Sequence, residues 1–199
     1  MSKLQQTPSQ TVGPYFAYGL TPTQYGYDLK SLFTPVLAQP HAQGEHIRIT
    51  GQVFDGAGQA VGDALIEISQ PDASGQPMRC AADVAASGFS GFGRCGTGTL
   101  AQNHFMFDTV KPGATLAGEA PFINVCVTMR GLLSHTFTRI YFDDEAAANS
   151  RDAVLASVPA GRRATLVALR EASGAGPVYR FDIHMQDSAH GQETVFFDL

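Results

Sequence analysis

From Phe122 to Met129 polar and apolar residues alternate so regularly that the segment admits little other than a half-buried β-strand. Ile123, Val125, Val127 and Met129 form an apolar face, and Phe122, Asn124, Cys126 and Thr128 turn the opposite way. A Pro-Gly turn at Lys111, Pro112 and Gly113 and an irregular loop lead into it. Phe122 and Asn124 sit two apart and point in one direction. Two ligands at that spacing can grip one metal ion, yet neither residue type suits the task.

Shorter runs of the same kind fill most of the remaining chain. Ile47, Ile49 and Val53 alternate with polar neighbours and stop at an Asp-Gly turn, and residues 64–70 read as a second strand closed by Pro71 to Gly75. Residues 104–110 and 134–142 are strands, the latter with Phe137, Arg139 and Tyr141 on one face. Residues 163–171 and 178–186 predict a hairpin, and 193–199 a final strand. Residues 76–103 are rich in Gly, Ala and Ser and read as a long loop, of a kind that usually lines a site or an interface. Two short helical pieces lie between Asp143 and Val158, before Pro159. About eight strands with so little helix predict a mainly-β fold, a two-layer β-sandwich with long loops and short helical pieces.

Residues 1–40 form an N-terminal arm and connecting segment, and residues 41–199 the sandwich. The arm carries Pro8, Gly13, Pro14, Tyr15, Phe16 and Tyr18 in a polar frame, so it is expected to dock by its aromatic residues on a surface. A chain of 199 residues with 44% hydrophobic and 16% charged residues supports one sizeable core. Its net charge of -5 provides no basic field for nucleic acid. No apolar run approaches the roughly 20 residues that cross a bilayer, and no signal core follows Met1. Cys80, Cys95 and Cys126 are an odd set without metal-type spacing, which predicts a reduced, cytoplasmic protein.

No nucleotide loop, paired-cysteine motif or nucleophile elbow is present, and the histidines are scattered without a His-x-His or His-x-x-x-His pair. Asp143, Asp144 and Glu145 are expected to cap and neutralise a helical turn rather than to hold a ligand. Residue chemistry by itself therefore ends at a β-sandwich of unreadable function.

Several longer segments go further. Thr7 to Tyr15 (TPSQTVGPY), Gly51 to Gly58 (GQVFDGAG), Val110 to Gly113 (VKPG), Arg139 to Glu145 (RIYFDDE) and Glu193 to Asp198 (ETVFFD) occur in an order and spacing that resemble the α subunits of the intradiol ring-cleaving dioxygenase family. The resemblance runs from residue 7 to the C-terminus. It implies a β-sandwich and an αβ hetro-oligomer in which a homologous β subunit holds Fe(III) through two tyrosinates and two histidines. Phenolate oxygens suit ferric iron, and imidazole suits iron broadly. Aligned on this chain, the histidine positions fall on Phe122 and Asn124 and the tyrosine positions near Pro77 and Thr115. Glu119 stands about where the iron subunit has an arginine. None of the four donors is kept, so the resemblance implies no metal in this chain, with Asn124 in a filled, vestigial pocket.

It also implies that the arm packs on the partner, with Thr11, Gly13, Pro14 and Arg130 completing the pocket for an aromatic diol and O₂. Protocatechuate, cleaved to 3-carboxy-cis,cis-muconate, is the implied substrate. A Gly-Pro bend lets backbone approach a flat ring, and a guanidinium favours a benzoate carboxylate. Two rival expectations accompany it. One is a non-catalytic β-sandwich interaction module; the other is a self-sufficient intradiol dioxygenase acting on another catechol.

Overall fold

Alternation of side chains sets the strands, and a computed structural model describing residues 5–174, 176–189 and 191–198 shows how they pair. Residues 1–4 of the arm, Ala175 of the hairpin turn, His190 and the terminal Leu199 lie outside the described residues. Nine strands occur among those described: β1 (His46–Phe54), β2 (Leu65–Ser69), β3 (Phe92–Gly96), β4 (His104–Val110), β5 (Ile123–Thr128), β6 (Thr136–Phe142), β7 (Val167–Glu171), β8 (Val178–Arg180) and β9 (Ile183–His184). Four short helices accompany them: α1 (Tyr15–Leu20), α2 (Ala81–Ser87), α3 (Ala146–Asn149) and α4 (Ala153–Ser157).

Hydrogen bonding runs in the order β3-β2-β5-β6-β7-β8-β1-β4, with β9 added to β1. The path curls into two layers. One is the antiparallel set β3, β2, β5 and β6; the other is β7, β8, β1 and β4, which pairs with the first through only Tyr141 with Val167 and Phe142 with Ala168. Ile66, Ile68, Val125, Val127 and Ile140 face Ile47, Ile49, Val53, Phe105 and Phe107 across one core. Each such side chain contributes roughly 1.5–3 kcal/mol relative to exposure. The two-layer, mainly-β expectation is met.

Residues 34–38 close the open side of the curl. Leu37 N–H donates to the Asp108 carbonyl (2.8 Å), Ser90 N–H to that of Leu37 (2.8 Å), and Arg94 N–H to that of Thr34 (3.3 Å), so this segment stitches β4 to β3. That contact accounts for a strand that residue pattern alone does not predict. Residues 76–103 are not one loop: they contain α2 and β3. The strand is hidden in the sequence by Gly93 and Gly96, residues that weaken strands. Here a Cβ on Gly93 would meet Leu37 Cδ1 at 2.4 Å and the Thr34 carbonyl at 2.9 Å, and one on Gly96 would meet the Tyr25 hydroxyl at 2.2 Å, so both glycines lie directly under chain packed on the strand.

Three further boundaries differ. Residues 160–166 are 3₁₀ helix, and the strand begins only at Val167. Asp182, whose carboxylate accepts from Gln52 N–H (3.0 Å), separates β8 from β9. The C-terminal segment is not a continuous strand: it is pinned by Phe197 N–H to the Phe137 carbonyl (2.8 Å) and by the Thr138 hydroxyl to the Val195 carbonyl (2.7 Å). Asp143 to Glu145 make no side-chain cap. Instead Asp144 and Glu145 bind Lys111, and Asp144 also accepts from Arg170 and from the Tyr179 hydroxyl (2.7 Å).

Candidate functional site

The outward face of β5 offers two places where chemistry can be set, one at each end. At the start, two loops are held side by side. Gly113 N–H donates to the Asp72 carbonyl (2.9 Å), and a Cβ on Gly113 would meet the Ala73 carbonyl at 2.6 Å. Pro77 follows the first loop and Thr115 the second. These two residues, with Phe122 and Asn124, line a single cavity of about 370 Å³. The four positions thus come together in space although they are dispersed in sequence. The expectation of a filled pocket is corrected: open volume remains between their short or withdrawn side chains.

The donor set does not fit ferric iron. Proline and phenylalanine bring no donor atom, and neutral amide and hydroxyl oxygens are weak ligands for it. Among the described residues no group of three or more His, Cys, Asp or Glu is placed to hold a metal ion. Glu119 lies in the loop before the strand and accepts from Leu116 N–H (3.2 Å).

What surrounds the cavity is firmly built. Asp152 is buried, and its carboxylate accepts from Ala120 N–H (3.0 Å), Leu155 N–H (2.8 Å) and the Tyr141 hydroxyl (3.1 Å). One side chain therefore caps α4 and fixes the loop that delivers Phe122. Burial first, against the opposing influence of Arg139, pushes the Tyr141 phenol up to about 12, and its hydroxyl donates to Asp152. The Arg139 guanidinium lies over the Phe122 ring, 3.9 Å from its centroid. The helical piece around Asp152 was legible in the sequence; its reach across 32 positions to Ala120 was not.

A groove of about 640 Å³ continues along β5 from Asn124 past Cys126 and Thr128 to His135 and Phe137, and Phe16 borders it. Burial, assisted by the Glu67 carboxylate, pushes the Cys126 thiol up to about 11, so it stands in this groove as a neutral thiol.

The far end of the strand is exposed. Gly131 N–H donates to the Thr11 hydroxyl oxygen (2.8 Å), and that hydroxyl reaches the Met129 carbonyl (3.5 Å). Phe16 N–H bonds back to the Gly13 carbonyl (3.1 Å), turning the chain at Pro14 into α1. The arm is therefore attached beside Arg130, and Thr11, Gly13, Pro14 and Arg130 belong to one region. Arg130 is ion-paired with Asp63, a partner that sequence reading did not suggest. Within α1, Tyr18 packs on Tyr25 with centroids 4.3 Å apart, while Tyr15 is 76% exposed.

No family model matches the chain. A protocatechuate 3,4-dioxygenase alpha chain from Burkholderia cepacia, however, is 63% identical over 200 residues, which is 100% of this chain and 100% of that one. The chain belongs to the protocatechuate 3,4-dioxygenase alpha-chain family. A protocatechuate 3,4-dioxygenase beta chain from the same organism is 37% identical over 81 residues, covering 39% of this chain and 34% of the beta chain. This chain thus shares part of its sequence with a beta chain as well. Among solved structures, the dioxygenase domain of a carbohydrate-binding fusion protein from Streptomyces sp. SirexAA-E superposes with a TM-score of 0.61 at 24% identity, over 93% of this chain and 100% of that one. An intradiol ring-cleavage dioxygenase from Tetranychus urticae gives 0.60 at 15% identity, over 91% and 94%. At these identities the likeness shows a shared fold. No helix among the described residues of this alpha-chain family member is long and apolar enough to cross a membrane.

Proposed function

We propose that this chain is the iron-free α subunit of a protocatechuate 3,4-dioxygenase, paired with a homologous β subunit that holds Fe(III). The assembled enzyme cleaves the ring of protocatechuate between its two hydroxylated carbons with O₂, giving 3-carboxy-cis,cis-muconate. The observation that carries this reading is the full-length, 63% likeness to an alpha chain. The donor-poor cavity at the start of β5 supports it, because a chain built this way relies on a partner for iron. Free cysteines at positions 80, 95 and 126 are in keeping with a cytoplasmic enzyme.

In this reading the α chain serves by position and charge. Thr11 holds the arm against Gly131, so that the Gly13–Pro14 bend is presented beside Arg130. Pro14 fixes backbone where a flat ring approaches, and the Arg130 guanidinium receives the substrate carboxylate, exchanging its bond with Asp63 for one with the ligand. Charge-assisted hydrogen bonds of this kind contribute roughly 1.5–3 kcal/mol.

Co-expression with the iron-bearing chain tests the proposal. Arg130→Ala is expected to lower kcat/KM for protocatechuate by about 10- to 100-fold, with iron content unchanged. The chain expressed alone is expected to be colourless and inactive. A red, iron-loaded protein from this chain alone would sink the iron-free assignment, and a fully active Arg130→Ala complex would sink the role given to Arg130.

A further inference from the structure

Strand register puts four side chains in one row across the outer face: Phe92 on β3 pairs with Ser69 on β2, Ser69 with Asn124 on β5, and Asn124 with Arg139 on β6. Directly paired positions on one face lie about 5 Å apart at Cβ. Phe92, Ser69 and Asn124 line both the 370 Å³ cavity and the 640 Å³ groove, so the two form one cleft, and Arg139 stands at its wall. Both volumes fall within the roughly 300–1,000 Å³ of small-molecule sites.

The polar groups of this row are uncommitted. Among the described residues neither the Asn124 nor the Ser69 side chain makes a hydrogen bond, and Arg139 has no carboxylate within ion-pair distance. Its guanidinium lies over the Phe122 ring and donates, at 3.5 Å, to the Tyr141 hydroxyl. The carboxylate that does line the cleft, Glu67, is already paired with Arg94. A cation without a counter-ion, next to an amide and a hydroxyl, calls for an anionic ligand with further polar atoms. Phe92, Phe122, Met78 and Pro77 supply apolar walls that match a flat ring.

We infer that this cleft is a second binding site, one that takes a small aromatic carboxylate without turning it over. Arg139 receives the carboxylate, Asn124 and Ser69 hydrogen-bond to polar atoms of the ligand, and Phe92 and Phe122 flank its ring. The inference goes beyond the proposed function, because it needs neither iron nor Arg130.

The test is calorimetric titration of the native assembly carrying Arg130→Ala, which disables the pocket proposed for substrate, with benzoate, and with benzyl alcohol as the neutral counterpart. Arg139→Gln and Asn124→Leu are the variants. The expected result is a benzoate site whose affinity falls about tenfold or more in Arg139→Gln and at least several-fold in Asn124→Leu, and which benzyl alcohol does not fill. A benzoate-soaked crystal is expected to show the ligand in the cleft. Benzoate binding that is identical in both variants, or binding of benzyl alcohol with equal affinity, overturns the inference. If Arg139→Gln fails to fold, an unchanged benzoate isotherm in Asn124→Leu together with an empty cleft in the soaked crystal overturns it equally. Ring cleavage is not the readout, so failure here leaves the proposed role of Arg130 to be judged by its own turnover measurement.

Discussion

At the Phe122 end of β5 the surroundings are determined several times over: Asp152 ties Ala120 to α4, Arg139 covers Phe122, and the Gly113 turn is clamped on Asp72. At the Arg130 end, about 26 Å along the chain at ~3.3 Å per residue, the arm is held to Gly131 by the Thr11 hydroxyl. The scaffold around the donor-poor cavity is thus rigid, while the exposed region proposed to serve a partner is lightly attached. A stiff scaffold need not carry metal chemistry to be worth keeping, because the same contacts fix the strand whose far end is presented outward. Loose attachment suits a segment that is ordered fully only against another chain.

Asp152 is the side chain on which the rigid end most depends. Asp152→Ala leaves Ala120 N–H, Leu155 N–H and the Tyr141 hydroxyl without their acceptor, and is expected to lower unfolding free energy by about 3 kcal/mol or more, measured in urea. A loss below about 1 kcal/mol would mean that the Phe122 end is not fixed by this carboxylate. Thr11→Val is expected to cost about 1 kcal/mol or less globally. Hydrogen-exchange protection of Gly131 should disappear and proteolysis of the arm should speed up; unchanged protection contradicts the light attachment.

The pH dependence sharpens the same contrast, because Lys111 anchors the turn leading to the rigid end. Burial, reinforced by the hydrogen bond to Asp144, pushes the Tyr179 phenol from 10.0 up to about 12. The raised value means the folded state holds that proton more tightly. The stability it brings is complete below pH 10 and is lost as pH climbs through about 12. Tyr179→Phe should flatten that alkaline limb in pH-dependent denaturation. Asp144 runs the other way: burial opposes its ionisation, but hydrogen bonds from Lys111 and Tyr179 hold its carboxyl below the ordinary range. Its contribution is present at neutral pH and fades in acid as the carboxylate is protonated, and Lys111→Ala should remove that acid-sensitive part. The smallest effect is expected from Phe122→Leu, which loses the guanidinium–ring contact for about 0.5–1 kcal/mol in the same urea assay.

Much was legible in the sequence where the physics is local. The alternation in β1, β2, β4, β5 and β6 predicted those strands, since each carries its own core face. β3 was not legible, because Gly93 and Gly96 answer to the overlying residues Leu37 and Tyr25 rather than to strand propensity. The acidic run at 143–145 looked like a cap because its charges suit a helix start, but Lys111 from the turn after β4 and Arg170 from β7 claim it. In the candidate site, the missing donors at Pro77, Thr115, Phe122 and Asn124 were readable one by one through resemblance. That they surround an open cavity was not, because emptiness is a property of how loops meet.

Residue type and the two-residue period were enough for a mainly-β chain with an arm and a set of outward positions on one strand, and the family resemblance marked the positions unsuited to ferric iron. Only tertiary structure decided that Phe92, Ser69, Asn124 and Arg139 form a row, that Arg139 lacks a counter-ion among the described residues, and that Thr11 rests against Gly131. Register between strands and closure of a curled sheet depend on contacts between residues tens of positions apart, and alternation within one segment does not specify those contacts.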